Sequence, residues 1–211
     1  MTSSPFDDAL ESVEQLGELY EPAAQRAWDK DIGRLDEVVR ALIAASPLVV
    51  VSSHDGAGHA DASPRGGQPG FVTVLDDHHL AIPDATGNKR LDTLNNIIST
   101  GHAGLLFLIP GRDQTLRVNG AACVTSSPSV LERIESVGKP PRTAIIVRAD
   151  ETYSHCPKAF VRSKLWQPDA WPPLDDVPTA AEVMRAHHPD PSRTLQDEVT
   201  YLETSLRERL A

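Results

Sequence analysis

Six apolar, β-branched segments crowd between residues 48 and 153, at 48–53, 70–75, 79–83, 103–109, 115–125 and 143–153. Helical patterns lie mainly outside them. Strands at such short intervals, joined by turns such as Asp76-Asp77-His78 and Pro110-Gly111, predict an antiparallel barrel, closed or nearly so. Two features count against a doubly wound sheet: long helices do not alternate regularly with the strands, and no Gly-x-Gly-x-x-Gly follows one. The stretch 55–69 is rich in Gly, Asp, Pro and Ser and reads as mostly loop. Short helices are expected at 91–98 and at 128–135, the latter begun by Ser127 as cap and Pro128 in its first position.

The flanks carry the 3.6-residue period. Leu10, Val13 and Leu16, with Leu19 and Tyr20, recur at helical spacing until Pro22 interrupts them. Leu35, Val38, Val39, Leu42 and Ile43 share one face of a second helix, which Pro47 ends. Helices are also expected at 156–165, 180–187 and 195–210, with a Pro-rich acidic connector at 166–178. The whole chain, 1–211, reads as one domain: a helical segment 1–45, a barrel core 46–155 and a helical segment 156–211.

Charge narrows the functional classes. The net charge of −10 argues against a nucleic-acid binder. The distribution is uneven: residues 112–164 hold nine bases and five acids, whereas 1–50 hold ten acids and four bases. A basic middle in an acidic protein suits a small anion, though composition alone favours a basic surface paired with acidic helices. No apolar run is long enough for a membrane span, and residues 1–8 lack a secretory pattern, so the expected compartment is the cytoplasm. The two cysteines, Cys123 and Cys156, support neither a disulfide framework nor a four-cysteine metal site. The histidines and aspartates at His54, Asp55, His59 and Asp61 have no standard metal-ligand spacing, and no metal is expected.

Four segments can carry chemistry. Gly87-Asn88-Lys89-Arg90 runs directly into the helix predicted at 91–98. There, backbone N–H groups, an amide and two cations would converge on a phosphate monoester. In Leu116-Arg117-Val118-Asn119-Gly120, strand alternation sends Arg117 and Asn119 to the face opposite Leu116 and Val118. Ser63 and Arg65 can donate from Ala62-Ser63-Pro64-Arg65-Gly66, which Pro64 stiffens. Lys158 and Arg162 share a helix face in 158–166, next to Ser163. Plainer readings stand beside these: surface turns for the first and third, a polar barrel face for the second, and core packing for Trp166.

Taken in order, these segments resemble the FMN-binding split-barrel superfamily that includes pyridoxamine 5′-phosphate oxidase, and most of all its bacterial FMN-dependent branch. The likeness runs over residues 35–171. It is carried by Ser63-Pro-Arg-Gly, Gly70-Phe-Val, Leu80-Ala-Ile-Pro83-Asp, Gly87-Asn-Lys-Arg-Leu-Asp, Gly104-Leu-Leu-Phe-Leu-Ile-Pro-Gly, Leu116-Arg-Val-Asn-Gly and His155-Cys-Pro-Lys-Ala-Phe-Val-Arg-Ser-Lys-Leu-Trp. The resemblance implies an α+β, mainly β fold: an antiparallel six-stranded split β-barrel with flanking N- and C-terminal helices. It implies a homodimer with FMN at the subunit interface and redox chemistry on a small molecule, with neither nucleic acid nor membrane as partner. The implied cofactor contacts are Ser63, Pro64, Arg65, Pro83, Asn88, Lys89, Arg90, Arg117, Asn119, Lys158, Arg162 and Ser163, with Lys89 and Arg90 on the phosphate. A flavin carrier or sensor without turnover, and a reductase using the deazaflavin F420, are the alternatives on the same fold. The C-terminal Trp-Gly and Arg signature of the true oxidase is missing, so vitamin B6 oxidation is not implied.

Overall fold

The computed structural model describes residues 4, 6–85, 87, 89–188 and 190–209. The chain falls into two compact units, Met1–Ile32 and Gly33–Ala211. In the first, helices α1 (Val13–Leu19) and α2 (Gln25–Trp28) bury no residue. Ser12 caps α1 by accepting from the Gln15 N–H, and Pro22 lies between the two helices, as its missing N–H dictates.

The second unit opens with α3 (Glu37–Ala45), which Asp36 caps by accepting from the Val39 N–H. The strands are β1 (Leu48–His54), β2 (Ala60–Gly66), β3 (Thr73–Val74), β4 (His79–Pro83), β5 (His102–Leu108), β6 (Thr115–Thr125), β7 (Ala144–Arg148) and β8 (Glu151–His155). Helix α4 (Asp92–Thr100) leads into β5, and α5 (Pro128–Leu131) lies between β6 and β7. After β8 come α6 (Lys158–Ser163), α7 (Ala180–His187) and α8 (Leu195–Arg209). The strands pair antiparallel in the order β2-β1-β5-β6-β7-β4-β3, with β8 also on β6.

The fold is therefore the expected antiparallel sheet with flanking helices, but it has eight strands rather than six and remains open. Two segments account for the difference. The expected loop 55–69 contains β2, which pairs with β1 along its whole length, from Leu48 opposite Gly66 to His54 opposite Ala60. Its loop-like composition is tolerated because β2 is an edge strand, where Pro64 breaks no ladder on its free side. The second segment, 143–153, is two strands. The chain bends at Ala149-Asp150, where the Asp150 carboxylate accepts from Arg148 and from the Ala121 N–H.

That bend lets one long strand serve two neighbours. The first half of β6 pairs with β8 and the second half with β7. Gly120 sits at the changeover, and a Cβ there would lie 2.0 Å from the Arg148 carbonyl oxygen. Only glycine permits that approach. The core forms beneath this crossing. Leu35, which precedes α3 rather than lying on it, Val39 and Ile43 of α3, Leu94 and Ile97 of α4, and inward residues such as Val49, Val51, Leu105, Phe107, Leu116 and Val118 make one cluster, whereas Val38, expected on the same helix face, is exposed. Burial of this apolar area is the main force holding the unit together.

Ser127 occupies the cap position of α5, but its side chain does not bond to that helix's N–H groups; it meets Ser129 Oγ at 2.9 Å instead. Among the described residues, no helix is long and apolar enough to cross a membrane.

Candidate functional site

Strand alternation separates the predicted residues into two groups. On β2, Ser63 and Arg65 lie opposite the buried Val51 and Val49, so they belong to the inward face. Pro64 points the other way, opposite Val50. On β6, Arg117 is opposite Leu106, which is opposite Val50 in turn. Arg117 and Asn119 therefore share the outer face with Pro64, not the inner face with Arg65.

One part of the inner face is tied to the start of α4. Asp61, two residues before Ser63, lies beneath that helix. Thr93 Oγ1 donates to Asp61 Oδ2 at 2.7 Å, and Ser63 Oγ donates to Oδ1 at 2.9 Å. Ser53 Oγ of β1 donates to Oδ2 at 3.4 Å and itself accepts from Asn96 Nδ2 at 3.1 Å. Burial opposes ionisation of Asp61, but these hydroxyls and the nearby Arg65 charge outweigh it and hold the carboxyl below its usual range. Asp84, just past β4, behaves oppositely: burial pushes its carboxyl up, with Arg65 pulling against that. The Arg65 charge thus acts on both carboxyls in the same direction. Arg65 Nη1 donates to the Pro64 carbonyl at 2.9 Å.

From Asp84 the chain runs through the Lys89-Arg90 turn into α4. Lys89 and Leu91 both adopt left-handed backbone, with φ of 63° and 60°. Such values are rare outside glycine and cost strain that the surroundings must hold. Leu91 sits at the cap position and has no side chain able to cap, so no cap side chain meets the first-turn N–H groups of α4. Among the described residues no side chain accepts from these N–H groups, and the helix dipole there favours an anion. Lys89 and Arg90 are exposed there, and the Arg90 guanidinium is held by Asp92 of the helix's first turn. Pro83 is buried at the end of β4, opposite Ala144. Asn88 lies outside the described residues.

The outer group is a second polar patch. Arg117 Nη1 donates to the Tyr153 hydroxyl at 3.1 Å and its guanidinium lies over that ring, 5.6 Å from the centroid. Asn119 Nδ2 donates to Glu151 Oε2 at 2.8 Å. A cavity of about 630 Å³ opens beside Asn119, lined among others by Ser52, His54, His102, Asp150 and Glu151. Of the predicted site residues, only Asn119 reaches it.

Lys158, Arg162 and Ser163 are exposed on α6, where Ser163 Oγ donates to the Phe160 carbonyl. Trp166 does pack: it stacks on Phe160 with ring centres 5.9 Å apart, and its indole N–H donates to the Arg112 carbonyl at 2.8 Å. Among the described residues, no group of three or more His, Cys, Asp or Glu side chains is arranged to hold a metal ion.

Sequence reading did not find the Asp61–Thr93–Ser53–Asn96 cluster as a unit. Its members are separated by up to 43 positions, and a Thr inside an amphipathic helix carries no signal of its own.

Comparison with known proteins fits this architecture. The family described as Pyridoxamine 5'-phosphate oxidase matches residues 35–156. The chain belongs to the pyridoxamine 5'-phosphate oxidase family. The match begins where the apolar face of α3 is being built and ends at Cys156, so it takes in both polar groups but leaves Lys158, Arg162 and Ser163 outside. Similar solved structures include HupZ from Group A Streptococcus, at 18% identity over 56% of this chain and 92% of that one, with a TM-score of 0.46. A putative pyridoxamine 5'-phosphate oxidase from Lactobacillus delbrueckii is 20% identical over 59% of this chain and 98% of its own, TM-score 0.46. An FMN-binding protein from Syntrophomonas wolfei is 12% identical over 67% and 97%, TM-score 0.41. No curated protein matches the chain.

Proposed function

We propose that this member of the family binds FMN, with its phosphate at the open start of α4, and uses it for redox chemistry on a small organic molecule. The observation that carries the reading is the 2.7 Å hydrogen bond from Thr93, in the first turn of the uncapped helix, to Asp61 of β2, the strand that also carries the half-buried Arg65. The donor set fits a phosphate monoester: Arg65, Lys89 and Arg90 supply charge, and the helix start supplies N–H groups. Arg90 has to exchange its Asp92 partner for the phosphate. Bound FMN would supply hydride or electron transfer, and the protein would supply binding and orientation.

We further propose that two copies of the chain complete the site. Arg117 and Asn119 face away from Arg65 within one chain, so a second copy is what would bring them to the same cofactor. The outer face is suited to this, since Leu48, Val50, Leu106 and Leu108 leave apolar area on it.

The test is direct. Purified protein should be yellow and release FMN in stoichiometric amount, and light scattering should give a dimer mass. Competitive titration with F420 separates the two cofactors, and anaerobic mixing with NADH or NADPH separates an enzyme from a carrier. Colourless protein that takes up no FMN, or unchanged FMN affinity in both Lys89→Ala and Arg90→Ala, would end the phosphate assignment.

A further inference from the structure

We propose that Asp61 is a positioning residue: its carboxylate pins the first turn of α4 to the edge strand carrying Arg65, and so fixes the phosphate-binding geometry in advance. This rests on the reading above that the start of α4 meets the phosphate.

A carboxylate near an anion site repels its ligand, so it needs another reason to be there. The hydrogen bonds supply one. Asp61 joins three elements at once: Thr93 from α4, Ser63 from its own strand, and Ser53 from β1. Thr93 is 2% exposed, and its hydroxyl donates to Asp61 at 2.7 Å. One turn on, Asn96 donates to Ser53, which repeats the link between helix and sheet. The helix start itself has no capping side chain and is entered through left-handed residues at 89 and 91. Local sequence therefore does little to hold it, and the polar clamp from below holds it instead. The Ser63 hydroxyl donates to both Asp61 oxygens, at 2.9 and 3.1 Å, so Ser63 acts on the site through Asp61 rather than by offering its proton to a ligand.

Site preorganisation raises affinity by removing the ordering cost at binding. Breaking the clamp should therefore weaken FMN binding even though no clamp atom needs to touch the cofactor. Thr93→Val keeps the buried shape and deletes the hydroxyl, Thr93→Ser keeps the hydroxyl, and Asp61→Asn removes the charge.

The full-length protein is measured in two ways: FMN dissociation constant by flavin fluorescence, and hydrogen exchange at the amides of Asn95, Asn96 and Ile97. Thr93→Val should raise the constant about tenfold, the scale of one buried hydrogen bond to a charged group, and Asp61→Asn should raise it less, because losing the charge also removes its repulsion of the phosphate. Both should speed exchange at those amides by a similar factor. Thr93→Ser should stay near the wild type on both counts, and the double variant Asp61→Asn/Thr93→Val should be no worse than the weaker single, as expected for a shared interaction. If Thr93→Val does not fold, Ser63→Ala, which removes a half-buried hydroxyl, is expected to show the same pair of changes at smaller size.

Wild-type affinity and exchange in Thr93→Val, with FMN binding lost in Arg65→Ala, would overturn the positioning role and leave the FMN reading intact. Loss of FMN affinity in Thr93→Ser equal to that in Thr93→Val would also overturn it. If wild-type protein binds no FMN, the phosphate reading falls; unchanged exchange in Thr93→Val then rejects the clamp itself.

Discussion

The two faces of the β2-β1-β5-β6 sheet hold similar residue types under different constraints. On the inner face, the Arg65 charge acts to lower the carboxyl pKa of both Asp61 and Asp84, and Asp61 is bound by hydroxyls from three elements. On the outer face, Arg117 bonds Tyr153 directly across from it on β8, and Asn119 bonds Glu151, also directly across. The outer pairs need only neighbouring strands in register. The inner cluster needs a helix docked on the sheet. Local pairing therefore makes a surface, whereas tertiary packing makes a shielded and preorganised group of charges.

The strongest challenge to this contrast acts where the sheet changes partners. Gly120→Ala should destabilise the unit by about 3 kcal/mol or more, read from the urea midpoint, because its Cβ meets backbone rather than a movable side chain. Both polar groups would loosen together. Next in size, Arg65→Ala should weaken FMN binding by roughly 10- to 100-fold, the loss of a charged hydrogen bond from a preorganised site. Arg117→Ala should cost about tenfold or less. Equal losses would break the comparison, since the outer face would then contribute to cofactor binding as much as the inner one.

A smaller effect is expected from Tyr153→Phe, which removes the acceptor 3.1 Å from Arg117 but keeps the ring beneath it. Its cost should be about 0.5–1 kcal/mol in unfolding free energy. The subtlest test sets Asp61 and Asp84 against each other. Asp61 has a folded pKa below its unfolded value, so its contribution to stability is present above the usual carboxylate range and is lost as pH falls through the folded pKa. Asp84 has a folded pKa above its unfolded value, so its ionisation lowers stability as pH rises. Asp84→Asn should thus raise the urea midpoint at pH 7 and leave it unchanged near pH 3. Asp61→Asn should lower it at pH 7, with the difference closing in acid.

Much of the fold was legible in the chain. The apolar segments at 48–53, 79–83, 103–109 and 115–125 match β1, β4, β5 and β6 to within a residue or two, and Pro22 and Pro47 interrupt the helices where expected. The motifs around Ser63, Gly87 and Leu116 carried the family as well. Composition misled at β2, where Gly, Asp, Pro and Ser disguised an edge strand. A strand next to a single neighbour needs little side-chain propensity, because its partner β1 supplies the pairing.

By itself, the sequence determined the antiparallel β architecture, the sidedness of β6 and the cation-bearing turn before α4, because these follow from local period and from backbone stereochemistry. Only the tertiary structure decided that Arg65 and Arg117 occupy opposite faces, that β6 changes partners at Gly120, and that Asp61 reaches Thr93. Those outcomes depend on strand register and on the docking of α4, which bring together residues 32 or more positions apart. No local pattern specifies such pairs; the energy of the packed whole selects them.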